Sequence, residues 1–440
     1  MAIIRTLGSF IVVMVVFLGL CLGLLVTSHA LPISRANANM GLSAQTLSQE
    51  GLYPMSGFPF RPIALDNFTE SLMVNIAYSA HNADSLKASL INLRYEKPGG
   101  ELNQIQNLEA LTSGSAVPNT GYERYWHGYL VYLRPLLAVV PYSMVRIVLT
   151  SILSIGLIWF LILAYRKLGI AFTISMTIGL LAADVIFLGQ SMQFAHVFII
   201  GLYASIFILY KKSGDQSLFL LYFLVGALTS FIDLLTAPLV TLGLILVTAT
   251  YMKSWNVRSI LLHCVSWGVG YVLMWASKWI IVGVLYNPQA IQTALEQILN
   301  RTVNKADADF SHVRTLQLNM MQLIGYHKTN KILDLFAGLS VIGIWLRYFK
   351  WRSNTFASIA PWVLVGIIPY CWYLIAANHS YLHVWYTYRA QFMSLVSGFI
   401  ILSLTMDRAR FKHDFVQLLR GRMFSRKTNS NHEKRTNKVS

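Results

Sequence analysis

Apolar residues gather along the chain in ten blocks separated by polar connections. The first, SFIVVMVVFLGLCLGLLVT at 9–27, is 19 residues long, enough for one helix to cross a bilayer. The others occupy 142–164, 169–188, 194–210, 217–235, 237–251, 258–286, 332–348, 356–376 and 390–406. Each is expected to be a transmembrane helix. Arg5 before the first block and Ser28-His29-Ala30 after it would also suit a cleaved signal peptide. Its length and the topology of the later blocks favour a retained span, and we read it as helix one.

The polar connections are not equivalent. Arg5, Arg166-Lys167, Lys211-Lys212, Lys253 with Arg258, and the Arg347 to Arg352 cluster fall on alternate connections, the same side as a basic C-terminal tail. Positive charge marks the cytoplasmic side, so both termini are expected there. The division that follows is a first span (1–27), an extracytoplasmic loop domain (28–141), spans two to seven (142–287), a second outer loop (288–331), spans eight to ten (332–406) and a cytoplasmic tail (407–440). The expected fold is an all-α polytopic membrane protein in a cell membrane.

Within the loop domain, Asp66 precedes FTESLMVNIAYSA, whose apolar positions recur at helical spacing. The pattern predicts a helix lying along the outer membrane surface. A weaker helical stretch runs from Leu102 to Leu111, with turn-rich sequence at Gly99-Gly100 and from Ser113 to Gly121.

Composition agrees with a lipid solvent: the chain is 55% hydrophobic and 12% charged over 440 residues. The formal charge of +17 is not a nucleic-acid signature. Ten of the 35 Lys and Arg lie between Arg408 and Lys438, after the last span, where they are expected to meet anionic lipid headgroups. The segment 28–141 is nearly neutral, with seven basic and eight acidic residues. The three cysteines, Cys21, Cys264 and Cys371, each sit in an apolar block and offer neither a disulfide framework nor zinc spacing.

Candidate chemistry collects on the outer side. Asp233, in FIDLLTAPLVTLG, stands beside Thr236 and Pro238 where one helix breaks and the next begins. It reads either as a functional acid or as a helix cap. Asp66, with Arg61 nearby, reads either as a general base or as the N-cap of the helix it precedes. Lys278, in YVLMWASKW, is expected near the outer interface, to meet a lipid phosphate, pair with an acid or snorkel. RYWHGY carries Arg124, Trp126 and His127, with Arg134 beyond. Aromatic faces beside hydrogen-bonding groups suit carbohydrate, or a loop anchored at the headgroups. The last outer link, NHSYLHVWYTYR, holds His379, His383 and Arg389. The histidines are four apart without a companion glutamate, so phosphate or hydroxyl binding outranks metal, and Arg389 supplies the fork that phosphate favours.

These features together resemble the fold type C glycosyltransferases, membrane enzymes that move sugars from polyprenyl-phosphate donors to acceptors on the outer leaflet. The likeness rests on the first helix followed by a large outer loop, an acid in that loop, basic and aromatic residues on later outer loops, and about ten spans. RYWHGYLVYLRPLL, FIDLLTAPLVTLG, YVLMWASKW and NHSYLHVWYTYR also look like segments of bacterial membrane proteins associated with cell-surface polysaccharide. The resemblance implies a polyprenyl-phosphate-linked sugar and a glycan or lipid acceptor as partners, Asp66 as base, Arg389, Lys278 and the histidines on the lipid phosphate, and Arg124 to Tyr129 on the sugar. It implies no cofactor; a divalent metal would be compatible but no ligand set calls for one. The competing expectation is a polymerase or flippase of lipid-linked polysaccharide units.

Overall fold

The computed structural model describes residues 2–59, 61–79, 84–211, 215–302, 309–324 and 328–417. The basic residues beyond 417, expected to meet anionic lipid, therefore lie outside the described residues. Helix dominates, and the two strands form one short hairpin.

Helix α1 (Ala2–Ala30) is followed by the loop segment, which contains α2 (Asn37–Glu50), the antiparallel strands β1 (Met55–Phe58) and β2 (Arg61–Ala64), α3 (Asn67–Tyr78), α4 (Ser85–Ile91), α5 (Gln104–Thr112) and α6 (Leu130–Leu137). The bundle then runs through α7 (Tyr142–Leu168), α8 (Ile170–Ala182), α9 (Met192–Tyr210), α10 (Asp215–Ile232), α11 (Leu239–Lys253) and α12 (Val257–Leu285). The second loop holds α13 (Ala290–Thr302) and α14 (His312–Ile324). The chain closes with α15 (Lys328–Tyr348), α16 (Thr355–Ile375), two short helices α17 (Ala377–Leu382) and α18 (Val384–Thr387), and α19 (Phe392–Thr405).

Among the described residues, five helices are long and apolar enough to cross a membrane: Phe10–Ala30, Tyr142–Leu168, Met192–Tyr210, Val257–Leu285 and Thr355–Ile375. Ile170–Ala182, Ser217–Ile232 and Leu239–Lys253 are shorter apolar helices. Lipid-facing side chains remain exposed on α1 and α7, for example Val15 and Ile158, whereas α11 is buried from Leu239 to Thr250. Local signals set the element ends. Asn256 caps α12 through Ser259 N, Ser191 caps α9, and Asn103 with Gln106 forms a capping box on α5. Gly169, at φ +88, makes the turn between α7 and α8, a conformation that L side chains resist.

One helix departs from its expectation. The stretch after Asp66 is helical, but α3 does not lie on the membrane surface: all but two of its twelve residues, including Asn67, Glu70 and Asn75, are buried. It is the central helix of the loop domain, contacted by α2, α5 and α6. An amphipathic pattern identifies an apolar neighbour without distinguishing lipid from protein. The same core takes in Cys21 and Leu25 of α1, Phe231 of α10 and Trp279 of α12, so the loop domain is packed onto three of the long helices.

Helices α10 and α12 pack backbone to backbone. A Cβ on Gly226 would stand 2.0 Å from the carbonyl oxygen of Trp267, and one on Gly270 would stand 2.0 Å from that of Phe223. Small residues permit such approach in membrane helix pairs. Gly226→Val is therefore expected to cost more than the roughly 1–3 kcal/mol of ordinary overpacking. Gly268→Val, where a Cβ meets nothing within 4 Å, should be tolerated. Thermal unfolding of the purified variants checks this; equal melting temperatures for the two would contradict it.

Candidate functional site

The helix break after α10 is the natural starting point, because it exposes backbone groups that a bundle interior must satisfy. Leu235 takes a left-handed conformation at φ +66. Asp233, 2% exposed, accepts the Thr236 N–H at 2.9 Å through Oδ2, while its Oδ1 has no hydrogen-bond partner among the described residues. The Leu235 carbonyl is met from α17, where His379 Nε2 lies 2.7 Å away.

The other nitrogen of His379 fixes its tautomer. Arg301 Nη1 on α13 lies 2.5 Å from Nδ1. A guanidinium only donates, so Nδ1 accepts and Nε2 carries the proton given to Leu235. Burial, with the Arg301 charge, holds His379 well below the usual imidazole range, as a neutral ring. Arg301 Nη2 donates to Tyr125 Oη of the loop domain at 3.1 Å. Tyr122, Tyr271 and Tyr386 also lie within electrostatic reach of Arg301.

The ring of Tyr386 completes the cluster. It stacks on His383 at 5.1 Å, stands 6.0 Å from His379, and is within electrostatic reach of both Asp66 and Asp233. Five separate segments thus supply this rim: the loop domain, the α10–α11 break, α12 through Tyr271, α13, and the α17–α18 link. Two carboxylates, one guanidinium, two imidazoles and several phenol rings meet there. Such a group of side chains can hold an anion, receive a proton and stack on a ring-shaped ligand.

The remaining residues singled out from the sequence sit elsewhere or in other roles. Asp66 is the N-cap of α3, with Thr69 N at 3.0 Å on Oδ1 and the Thr69 hydroxyl at 2.8 Å on Oδ2; burial still lifts its carboxyl above the ordinary range. Arg61 lies in β2, and its side chain is not among those described. Arg124 covers the Tyr122 ring at 5.5 Å. Trp126 Nε1 donates to the Met274 carbonyl at 2.6 Å, and Lys278 Nζ sits 5.1 Å from the Trp126 ring. Lys278 is fully buried and donates to the Ser89 carbonyl at 3.1 Å, so it ties α12 to the loop domain instead of reaching Asp233. His127 has both ring nitrogens engaged, by Tyr129 Oη and by the Tyr122 carbonyl, each at 3.0 Å. Arg134 donates to the carbonyls of Ser28, Leu31 and Ala77 near the ends of α1 and α3. Arg389, 1% exposed, lies over the Phe194 ring at 4.4 Å and donates to the Trp385 carbonyl at 3.1 Å, with no partner for Nε and Nη2 among the described residues.

Among the described residues no group of three or more His, Cys, Asp or Glu is placed to hold an ion. His379 has both nitrogens committed to hydrogen bonds, which leaves its pairing with His383 without a free donor.

Two functional residues escaped the sequence reading. Arg301 is a single arginine in an amphipathic helix, noticeable only because it shares a stripe with the buried Ala290 and Ala294. Glu70, one turn beyond Asp66, is completely buried. It accepts the Ser191 hydroxyl at 2.7 Å, the Met192 N–H at 3.2 Å and the Gln193 N–H at 3.0 Å, capping the first turn of α9. Nearby, Arg146 pairs with Glu50 at 2.7 Å and bonds the side chain of Asn67 at 2.7 Å. Asn67 is fully buried.

Comparison with protein-family models, with curated proteins and with solved structures returns no match for this chain.

Glu70 makes a pH dependence. Burial pushes its carboxyl up to about 7, with Asp66 adding to the rise, against the opposing Arg146 charge and the Gln193 and Ser191 donors. A carboxyl raised on folding stabilises fully below its unfolded value near 4.5, and that contribution is lost as pH rises through 7. Relative to Glu70→Gln, the wild type should therefore lose stability between pH 5 and 8, on the order of 3 kcal/mol at about 1.4 kcal/mol per unit. Parallel melting curves for the two proteins across that range would contradict the assignment.

Proposed function

We propose that the protein is a membrane glycosyltransferase that moves a sugar from a polyprenyl-phosphate donor to a glycan or lipid acceptor at the outer face. The observation that carries this reading is the convergence of Asp233, Arg301, His379 and the rings of Tyr125, Tyr271 and Tyr386 at one rim. The reading takes α1, α7 to α12, α15, α16 and α19 as ten spans, with the termini in the cytoplasm and the rim outside. The resemblance in layout to the fold type C enzymes supports the same activity. Anionic lipid at the basic C-terminal segment belongs to the proposal as well.

Chemistry follows from the positions. An acceptor hydroxyl attacks the anomeric carbon while a carboxylate takes its proton, the bond from that carbon to the phosphate oxygen breaks, and polyprenyl phosphate leaves with the electron pair. Arg301 neutralises the charge growing on the phosphate. His379, bonded to Arg301 and to Leu235, is a positioning residue for the guanidinium. The phenol rings offer faces to the sugar.

Asp233 is the better base. Both oxygens of Asp66 are engaged by Thr69, whereas Asp233 keeps an unpartnered, buried Oδ1 beside Tyr386. This exchanges the roles that the resemblance alone implies.

The test is release of polyprenyl phosphate from a labelled polyprenyl-phosphate sugar by the purified protein. Asp233→Asn should lower turnover by about 10²- to 10⁴-fold with little change in melting temperature. Asp66→Ala should instead cost about 1 kcal/mol of stability through the lost cap and retain most of the turnover. Loss of turnover in Asp66→Asn with Asp233→Asn active would return the base to Asp66. Transbilayer movement of a labelled glycolipid without any sugar release would replace the transferase with a flippase.

A further inference from the structure

Helix α13 has three distinct faces. Ala290, Ala294 and Arg301 form one stripe, on which the alanines are buried and Arg301 reaches the rim. Roughly 100° round the helix, by its 3.6-residue turn, lies a second stripe of Ile291, Leu295, Ile298 and Leu299. These four are 48%, 60%, 40% and 54% exposed. The third face carries Gln292, Glu296 and Asn300. A helix against a soluble core needs two faces, one apolar and one polar. Three faces are what a helix needs where protein, lipid hydrocarbon and water meet.

Its neighbour repeats the arrangement. Helix α14 buries Thr315 and Asn319, and Asn319 bonds the Ser380 carbonyl at 3.0 Å and the Thr387 hydroxyl at 2.8 Å. The opposite face exposes Val313, Met320, Met321 and Ile324, with Gln317 among them. Continuity identifies what covers these faces. Helix α13 begins five residues after α12 ends at Leu285, beside the lipid-exposed Ile280 and Val284, and α14 ends four residues before α15 begins. Both helices are therefore held at the level where the spans leave the bilayer.

We propose that α13 and α14 lie in the outer-leaflet interface with their apolar faces in lipid hydrocarbon, and that α13 is the edge over which a membrane-dissolved phosphate lipid brings its headgroup to Arg301. The second half rests on the transferase reading above. The first half does not. A lipid tail following the Leu295 stripe keeps its hydrocarbon out of water, while the adjacent stripe presents the guanidinium to the phosphate, so the substrate never leaves the bilayer.

Depth of the helices can be read without turnover. In a background lacking Cys21, Cys264 and Cys371, single cysteines at Leu295 and Glu296 carry an environment-sensitive fluorophore in the full chain, reconstituted in phosphatidylglycerol-containing nanodiscs. The probe at 295 should be quenched at least threefold more by acyl-chain spin-labelled lipid than by aqueous iodide, and the probe at 296 the reverse. Equal iodide quenching at both positions overturns the proposal. The unsubstituted protein supplies a second reading. Met320 and Met321, exposed on α14, should be oxidised by water-borne hydroxyl radical at least tenfold more slowly than Met55, 64% exposed on the hairpin, when the protein is in a bilayer. Equal rates overturn it. Lipid quenching at 295 in a protein that releases no polyprenyl phosphate would support the interfacial placement and sink the donor path alone.

Discussion

A helix that ends near a membrane leaves backbone N–H and C=O groups without partners, and at that depth water is scarce. This protein meets that constraint with side chains from the segments between the long helices. Glu70 receives the first amides of α9, Arg134 caps the carbonyls ending α1 and α3, and His379 takes the carbonyl of Leu235 where α10 breaks. Gly128 N–H bonds the Phe231 carbonyl at 2.8 Å, an approach that leaves no room for a Cβ. Because all of these contacts except that of Arg134 with Ala77 join a loop to a span end, satisfying the backbone also docks the loop domain. Lys278 and Trp126 add the reverse contacts, from span to loop and from loop to span.

The rim forms as a consequence of that docking. Asp233 is left with an open oxygen because the turn it sits in is closed by Thr236 and by His379 through Leu235, not by a countercharge on the acid. Arg301 is held by a neutral histidine and a phenol, and no carboxylate bond to it is found among the described residues. An oriented cation and an unpartnered acid oxygen in one cluster are expensive to maintain in a dry site, and such arrangements persist where a ligand completes them. The phosphate of a lipid donor would complete Arg301, and the hydroxyl of the acceptor would complete the oxygen of Asp233.

Much of this was legible in the sequence, and the rest was hidden for identifiable reasons. Hydropathy marks the apolar helices because lipid demands long uninterrupted stretches, and the outer concentration of Asp233, Lys278, His379 and Arg389 is visible once basic connections orient the chain. The roles of Trp126, Arg134 and Lys278 were not visible, since their partners are backbone carbonyls of Met274, Ser28 and Ser89, and a carbonyl has no letter of its own. Helix α3 was misplaced because lipid and protein interior reward the same amphipathic spacing. Arg301 and Glu70 were missed because one is the lone arginine and the other the lone acid of a short amphipathic helix, indistinguishable from solvated neighbours until the fold buries it.

The central claim is that the loops and span ends assemble one lipid-phosphate site around Arg301 and Asp233. Cryo-electron microscopy of the full chain in nanodiscs with a non-hydrolysable polyprenyl-phosphate sugar tests it most directly. The account predicts phosphate density within hydrogen-bonding distance of Arg301, with the sugar against Tyr386 and the anomeric carbon facing Asp233. Phosphate density at Lys278 and Trp126, or bound lipid that leaves the Arg301 rim unchanged, would contradict it.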